Sequence, residues 1–277
     1  VDAAFCSGSM RAAATELTFA PHYVFSRGRL NLDLGLRLAK VVTPSGMEHY
    51  SAKDQIVYPD LNARYALIPD AMSIYGSIGG GNQLHTYSSI LEANPFVDAD
   101  YARGLPLMDF SIERISFLFG VDGRISRRFT YDVHAGYSVI GNGLLDAVFL
   151  SADNSGYVPG IGYASYNRFH AGLEWIWRTD DISFDGDVEY SLYSGLDDAF
   201  GLFEPAPFKG SVSFEYNWNR RVFAGIGCRF ASARKGILAN EGWRNDNTLI
   251  RYDARVPGYA DLGLYVEYAP SQRLSFW

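Results

Sequence analysis

The stretch Leu30-Asn-Leu-Asp-Leu-Gly-Leu-Arg-Leu-Ala-Lys-Val41 decides how this chain is read. Leu30, Leu32, Leu34, Leu36 and Leu38 alternate without a break against Asn31, Asp33, Gly35, Arg37 and Ala39. Successive side chains of a strand point to opposite faces, so one face here is hydrocarbon and the other carries a carboxylate, a guanidinium and a carboxamide. A protein core accepts such groups only when each is paired. A wall between lipid and water accepts both faces as they stand, and the segment reads as one strand of an all-β, antiparallel transmembrane β-barrel.

The same alternation recurs on both sides of this stretch. Upstream, residues 1–14 show no period and read as a flexible lead-in, so the barrel is expected over 15–277. The first strand starts at Glu16 and is interrupted by Pro21, which lacks the N–H that a ladder needs. Downstream, Asp60 and Arg64 oppose Leu61 and Tyr65, and Asp132 and His134 oppose Tyr131 and Val133. Glu174 and Arg178 oppose Trp175 and Trp177; Asp185, Asp187 and Glu189 oppose Phe184 and Val188. Lys209 and Glu215 oppose Val212 and Phe214, and Arg229 opposes Cys228. The lumen is therefore expected to hold Asp33, Arg37, Asp60, Arg64, Asp132, His134, Glu174, Arg178, Asp185, Asp187, Glu189, Lys209, Glu215 and Arg229. Lipid is expected to meet Leu30, Leu32, Leu34, Leu36, Leu38, Trp175, Trp177, Phe184, Val212 and Phe214. Arg178 or Lys209 is expected to relieve the repulsion among Asp185, Asp187 and Glu189.

About twelve strands of roughly 10 to 14 residues emerge, longer than the soluble average of about 5 to 6 and sufficient for the roughly 9 to 11 that cross a bilayer. Short turns alternate with long loops near 42–55, 82–109, 140–162, 194–206 and 231–255, the pattern of barrels with short periplasmic turns and longer outer loops. On that parity the first strand starts outside and the twelfth, begun by Leu274 and Phe276, breaks off on its way out. The chain thus reads as part of a larger barrel, and Trp277 does not close it.

Composition agrees. Apolar residues make up 48% of the 277 residues, yet mean hydropathy is −0.08, and no run reaches the roughly 18 residues of a membrane helix. Tyr, Phe and Gly number 19, 18 and 28, residue types of strands, interfacial girdles and turns. A net charge of −7 argues against a nucleic-acid partner, which calls for a basic stripe. Cys6 and Cys228 make no metal-ligand spacing, and neither a metal nor a cofactor is expected. The strand histidines His22, His134 and His170 all phase with the charged face while His49 and His85 fall in loops, so no nucleophile triad assembles on the lipid face. An enzyme is not expected.

Several stretches resemble the C-terminal barrel of TonB-dependent-receptor-like proteins of Bacteroidota. They are Ala66-Leu-Ile-Pro-Asp-Ala-Met-Ser-Ile-Tyr75 with Gly79-Gly80, Glu92-Ala-Asn-Pro-Phe96, Glu113-Arg114 through Gly136-Tyr137-Ser138, Pro207-Phe208-Lys209 through Tyr216-Asn217, and Asp261-Leu-Gly-Leu through Phe276. The resemblance implies residence in the bacterial outer membrane, contact with its lipid, and a part in uptake of a nutrient or ligand. It also implies a plug domain and a segment contacting TonB, both in segments outside this sequence, and a further strand after Trp277. The alternative is a structural or assembly role, holding a surface lipoprotein or other outer-membrane proteins without transport of its own.

Overall fold

A computed structural model of the chain describes residues 2–6, 12–42, 57–97, 109–150, 157–196, 201–219, 221–240, 250–271 and 274–276. Fourteen strands form one sheet in which neighbours in space are neighbours in sequence. The chain opens with β1 (Asp2–Cys6), β2 (Ala12–Phe19) and β3 (His22–Arg27). The leucine stretch is β4 (Leu30–Val42), followed by β5 (Val57–Ile68) and β6 (Met72–His85). A short helix, α1 (Tyr87–Ala93), precedes β7 (Asp109–Ser126), β8 (Phe129–Leu150) and β9 (Tyr157–Arg178). Then come β10 (Ile182–Ser194), β11 (Phe208–Trp218) and β12 (Val222–Ala231). The pair β13 (Arg234–Asn240) and β14 (Ile250–Val256) stands apart as a hairpin, and β15 (Tyr259–Ser271) with β16 (Leu274–Phe276) returns to the sheet. Every pairing is antiparallel. Among the described residues the sheet ends at β1 and β16, which do not pair with each other.

The leucine strand sits where its pattern requires a neighbour on each edge. On one side Leu30, Leu32 and Leu34 face Tyr65, Ala63 and Leu61 of β5. On the other, β2 and β3 both pair with β4 and are one strand broken at Ala20-Pro21. Pro21 donates nothing, but its carbonyl still accepts from Leu36 N at 3.3 Å, so the break costs one donor and the register continues. The tight turns take the backbone they need: Gly28, Asp70 and Asn219 have φ of 61°, 60° and 52°, the left-handed region that Gly, Asn and Asp tolerate best.

The lead-in expected over 1–14 holds strand instead, for Asp2–Cys6 pairs with Ala12–Glu16 residue by residue. Ladder bonds come from the backbone, and alanine-rich segments show no hydrophobic contrast by which to read them. The loops also hold more structure than expected. Within 82–109, β6 runs on to His85 and α1 follows, capped by Thr86 Oγ1 accepting from Ser89 N at 3.2 Å. The expected loop 140–162 is chiefly strand, since β8 and β9 each have 22 residues against the roughly 9 to 11 that span a bilayer. Beyond the lipid, neither face need be apolar, and the alternation that marks a membrane strand disappears. At the changeover Asn142, with φ of 53°, shifts the β8 register and donates to Asp109 Oδ2 at 2.8 Å and Phe110 O at 2.9 Å. His49, Tyr101 and Trp277 lie outside the described residues.

These extensions assemble a cap at the end of the sheet opposite the tight turns. Residues 201–204 lie between β8 and β13: Phe203 N donates to Asp146 O at 2.9 Å and Glu204 N to Lys235 O at 2.8 Å. Helix α1 packs Ile90 against Ile161 and Val97, flanked by Leu144 and Tyr163. Asp146 ties the parts together, accepting from Asn94 Nδ2 at 3.2 Å with one oxygen and pairing with Arg234 through the other.

Strand glycines have a different use from turn glycines. A Cβ on Gly120 would meet the Tyr75 ring at 2.3 Å, and one on Gly172 would meet His134 Nε2 at 2.5 Å. Each is directly opposite the ring in the register, so an aromatic or imidazole ring lies flat across the neighbouring strand where a side chain would block it. Gly172→Val is therefore expected to cost about 1–3 kcal/mol by overpacking. Gly227, whose Cβ would meet nothing within 4 Å, supplies the control. Urea unfolding of the two valine variants followed by tryptophan fluorescence tests this, and equal midpoints contradict it.

Candidate functional site

The charged face of the sheet carries the chemistry, and the register sorts it into rows. In one row Asp122, Asp132, Glu174 and Asp187 stand directly opposite one another on β7, β8, β9 and β10. Paired positions hold Cβ atoms about 4.5–5.5 Å apart, and like charges so placed repel. The next row toward the cap runs Arg64, Tyr75, Gly120, His134, Gly172, Glu189, Lys209.

The two rows neutralise one another unevenly. Arg64 pairs with Asp122. Asp132 accepts from the Tyr75 hydroxyl at 2.8 Å and lies 2.8 Å from His134 Nδ1. Glu189 sits between Arg168 at 2.7 Å and Lys209 at 3.3 Å. Serine hydroxyls, not cations, serve the other two acids of β10: Ser211 donates to Asp187, and Ser213 and Ser183 donate to Asp185 at 2.9 and 3.3 Å. Lys209 thus does what was expected of it for Glu189, but Arg178 does not reach Asp185 or Asp187. Its place opposite Ser183, at the end of β9, sets it beyond them, and among the described residues it forms no ion pair. Glu174 is exposed with no ion pair among those residues.

A second network lies at the leucine strand. Arg37 spans to Asp60 at 3.1 Å and to Gly80 O at 3.3 Å, and His22 Nδ1 lies 3.0 Å from Asp33. Further along, Tyr265 donates to Glu215, and Arg229 stands opposite Asp261. The fourteen polar residues singled out in the sequence all fall on this face, but as three patches. The carboxylate row, the centre of the largest patch, takes Asp122 from outside that set.

The opposite face is apolar and uncovered. Leu34 and Leu36 are 44% and 52% exposed, and Leu38, Trp177 and Phe214 are exposed as well. Leu30, Leu32, Trp175, Phe184 and Val212 are half-buried by one another's neighbours, with the Trp175 and Phe184 rings 5.9 Å apart. In water such a surface is untenable for a monomer. No helix among the described residues is long and apolar enough to cross a membrane, and no group of three or more His, Cys, Asp or Glu among them is placed to hold a metal ion. At the cap end of β6, His85 hydrogen-bonds Ser111 at 2.6 Å and packs on Tyr163, and burial lowers its pKa.

No family model and no curated protein matches this sequence. Solved structures do. The siderophore receptor PirA from Acinetobacter baumannii covers 96% of this chain at a TM-score of 0.61 and 10% identity, with 41% of its own chain. The pyoverdine outer-membrane receptor FpvA from Pseudomonas aeruginosa PAO1, solved bound to pyoverdine, covers 98% at 0.63 and 13% identity, with 38% of its own chain. The copper transporter OprC covers 95% at 0.53 and 15% identity, with 40% of its own chain. This chain spans about two-fifths of the length of these structures. The likeness gives the fold: an antiparallel transmembrane β-barrel of the kind found in TonB-dependent outer-membrane receptors.

Uneven neutralisation has a measurable consequence. Glu174→Gln removes one member of a repelling row and is expected to leave stability unchanged or raise it by about 0.2–1 kcal/mol. Arg64→Gln leaves Asp122 without its cation and is expected to lower it, the more so at low salt. Denaturant unfolding at two ionic strengths checks both signs; a loss on Glu174→Gln would show that this carboxylate has a cationic partner.

Proposed function

We propose that this chain forms part of the wall of an outer-membrane receptor that takes up a nutrient or ligand, working with a plug domain and TonB. The observation that carries the reading is the two-faced sheet itself, apolar and uncovered on one side, charged on the other, following solved receptor barrels over nearly its whole length. In that role Leu30 through Leu38, Trp175, Trp177, Phe184, Val212 and Phe214 meet lipid. Asp33, Arg37, Asp60, Arg64 and the carboxylate row line a water-filled, acid-rich lumen, which favours cationic surfaces of a plug or solute. The cap stands at the outer surface, because the longer connections of such barrels are external. The similar structures include a siderophore receptor, an iron transporter and a copper transporter, and a metal-bearing small solute is the class of cargo they suggest. An origin in Bacteroidota rests on the sequence resemblance alone.

Uptake by cells carrying the full-length protein, with and without TonB, tests the reading. TonB-dependent accumulation of a solute supports it; a barrel that accumulates nothing and stays closed in liposome swelling, with plug and TonB supplied, sinks it. The facing is tested separately. Leu34→Arg is expected to cost about 2–4 kcal/mol near mid-bilayer, while Asp33→Asn, on the wet face, costs little. Unfolding from lipid vesicles measures both, and equal costs contradict the facing.

A further inference from the structure

Between residues 201–204 and the β13–β14 hairpin lies a cavity of about 410 Å³ in the cap. Its floor is apolar and firm: Leu145, Leu196 and Phe203 are buried, and Phe203 lies across Gly236, whose Cβ would meet its ring at 2.4 Å. Its rim is charged. Lys235 and Arg255 both line it, and the register sets them directly opposite each other on β13 and β14. Two cations so paired destabilise a hairpin unless an anion lies between them. Neither forms an ion pair among the described residues, whereas Arg234, next along β13 and on the other face of the hairpin, is held by Asp146. Lys235 and Arg255 are the cations of the lining and Glu204 and Asp253 its acids. Two cations set side by side, neither held by an acid among the described residues, leave charged donors free for one anion between them.

We propose that this cavity binds a small monoanionic carboxylate with an apolar body, the carboxylate held between Lys235 and Arg255 and the apolar part on Leu145, Leu196 and Phe203. Arg255 supplies the planar fork that matches a carboxylate and Lys235 the mobile ammonium. Glu204 and Asp253 also line the cavity, and their charges favour a ligand with one negative charge over one with two. The cavity volume of about 410 Å³ admits a substituted single ring. This site deepens the uptake reading by naming the chemistry that the cap selects.

The test uses the full-length protein in detergent with phenylacetate as probe and phenylacetamide as its neutral match, followed by isothermal titration calorimetry. Phenylacetate is expected to bind at least about tenfold more tightly than the amide, since a hydrogen bond to a charged group is worth that much. Lys235→Gln with Arg255→Gln is expected to abolish the difference. Both side chains are exposed, so the double variant is expected to keep the parent's unfolding midpoint, and Arg128→Gln, in a tight turn at the far end, is the control. Equal binding of acid and amide, no binding of either, or a preference that survives the double variant would overturn the proposal. The two readings fail separately. Carboxylate binding without TonB-dependent uptake keeps the site and removes the transport role, and uptake without that binding does the reverse.

Discussion

The constraint on which this structure depends is that hydrocarbon offers no hydrogen bonds. Each backbone N–H and C=O at membrane depth must be satisfied within the protein, at a cost of several kcal/mol for each that is not. A meander of adjacent antiparallel strands does this with local pairings alone, and here every strand of the large sheet pairs with a neighbour close in sequence. The break at Pro21 shows how narrow the tolerance is. One donor is lost, and the neighbouring carbonyl is still used. Once the backbone is served, side chains are free to differ on the two faces, and the alternation that starts at Leu30 is the result.

On the charged face, packing and electrostatics are coupled through glycine. Tyr75 and His134 reach Asp132 because Gly120 and Gly172 leave room for their rings across the adjacent strand. Rings lying flat on glycines keep the wall thin and bring donors to a carboxylate that its neighbours in the row would otherwise repel. Where no ring or cation arrives, serine hydroxyls accept the task, as for Asp185 and Asp187. The charged face is thereby satisfied around Asp132 and Glu189 and left negative around Glu174 and Asp187.

Outside the membrane the same strands serve a different physics. Released from lipid, β8 and β9 continue as a hairpin, and their far ends bury Ile161, Leu145 and Ala147 as in a soluble protein. Asp146 is the junction, binding α1 through Asn94 and β13 through Arg234. Backbone bonds from Phe203 and Glu204 and a small apolar core complete the cap, on whose hairpin Lys235 and Arg255 stand opposite each other.

The sequence by itself determined the fold class and the alternation of apolar and charged side chains between the two faces of the sheet, because a period of two is a local property. Leu30 to Leu38, Trp177 and Phe214 on one face, and Asp33, Arg37 and Asp132 on the other, were legible residue by residue. Tertiary structure decided what pairing and packing decide. The row of Asp122, Asp132, Glu174 and Asp187 exists only in the register between strands. Arg178 misses Asp185 and Asp187 because of where β9 ends. The extramembrane strands and α1 carried no lipid-imposed pattern to read, and the Lys235–Arg255 pair joins residues twenty apart that only the hairpin register sets face to face.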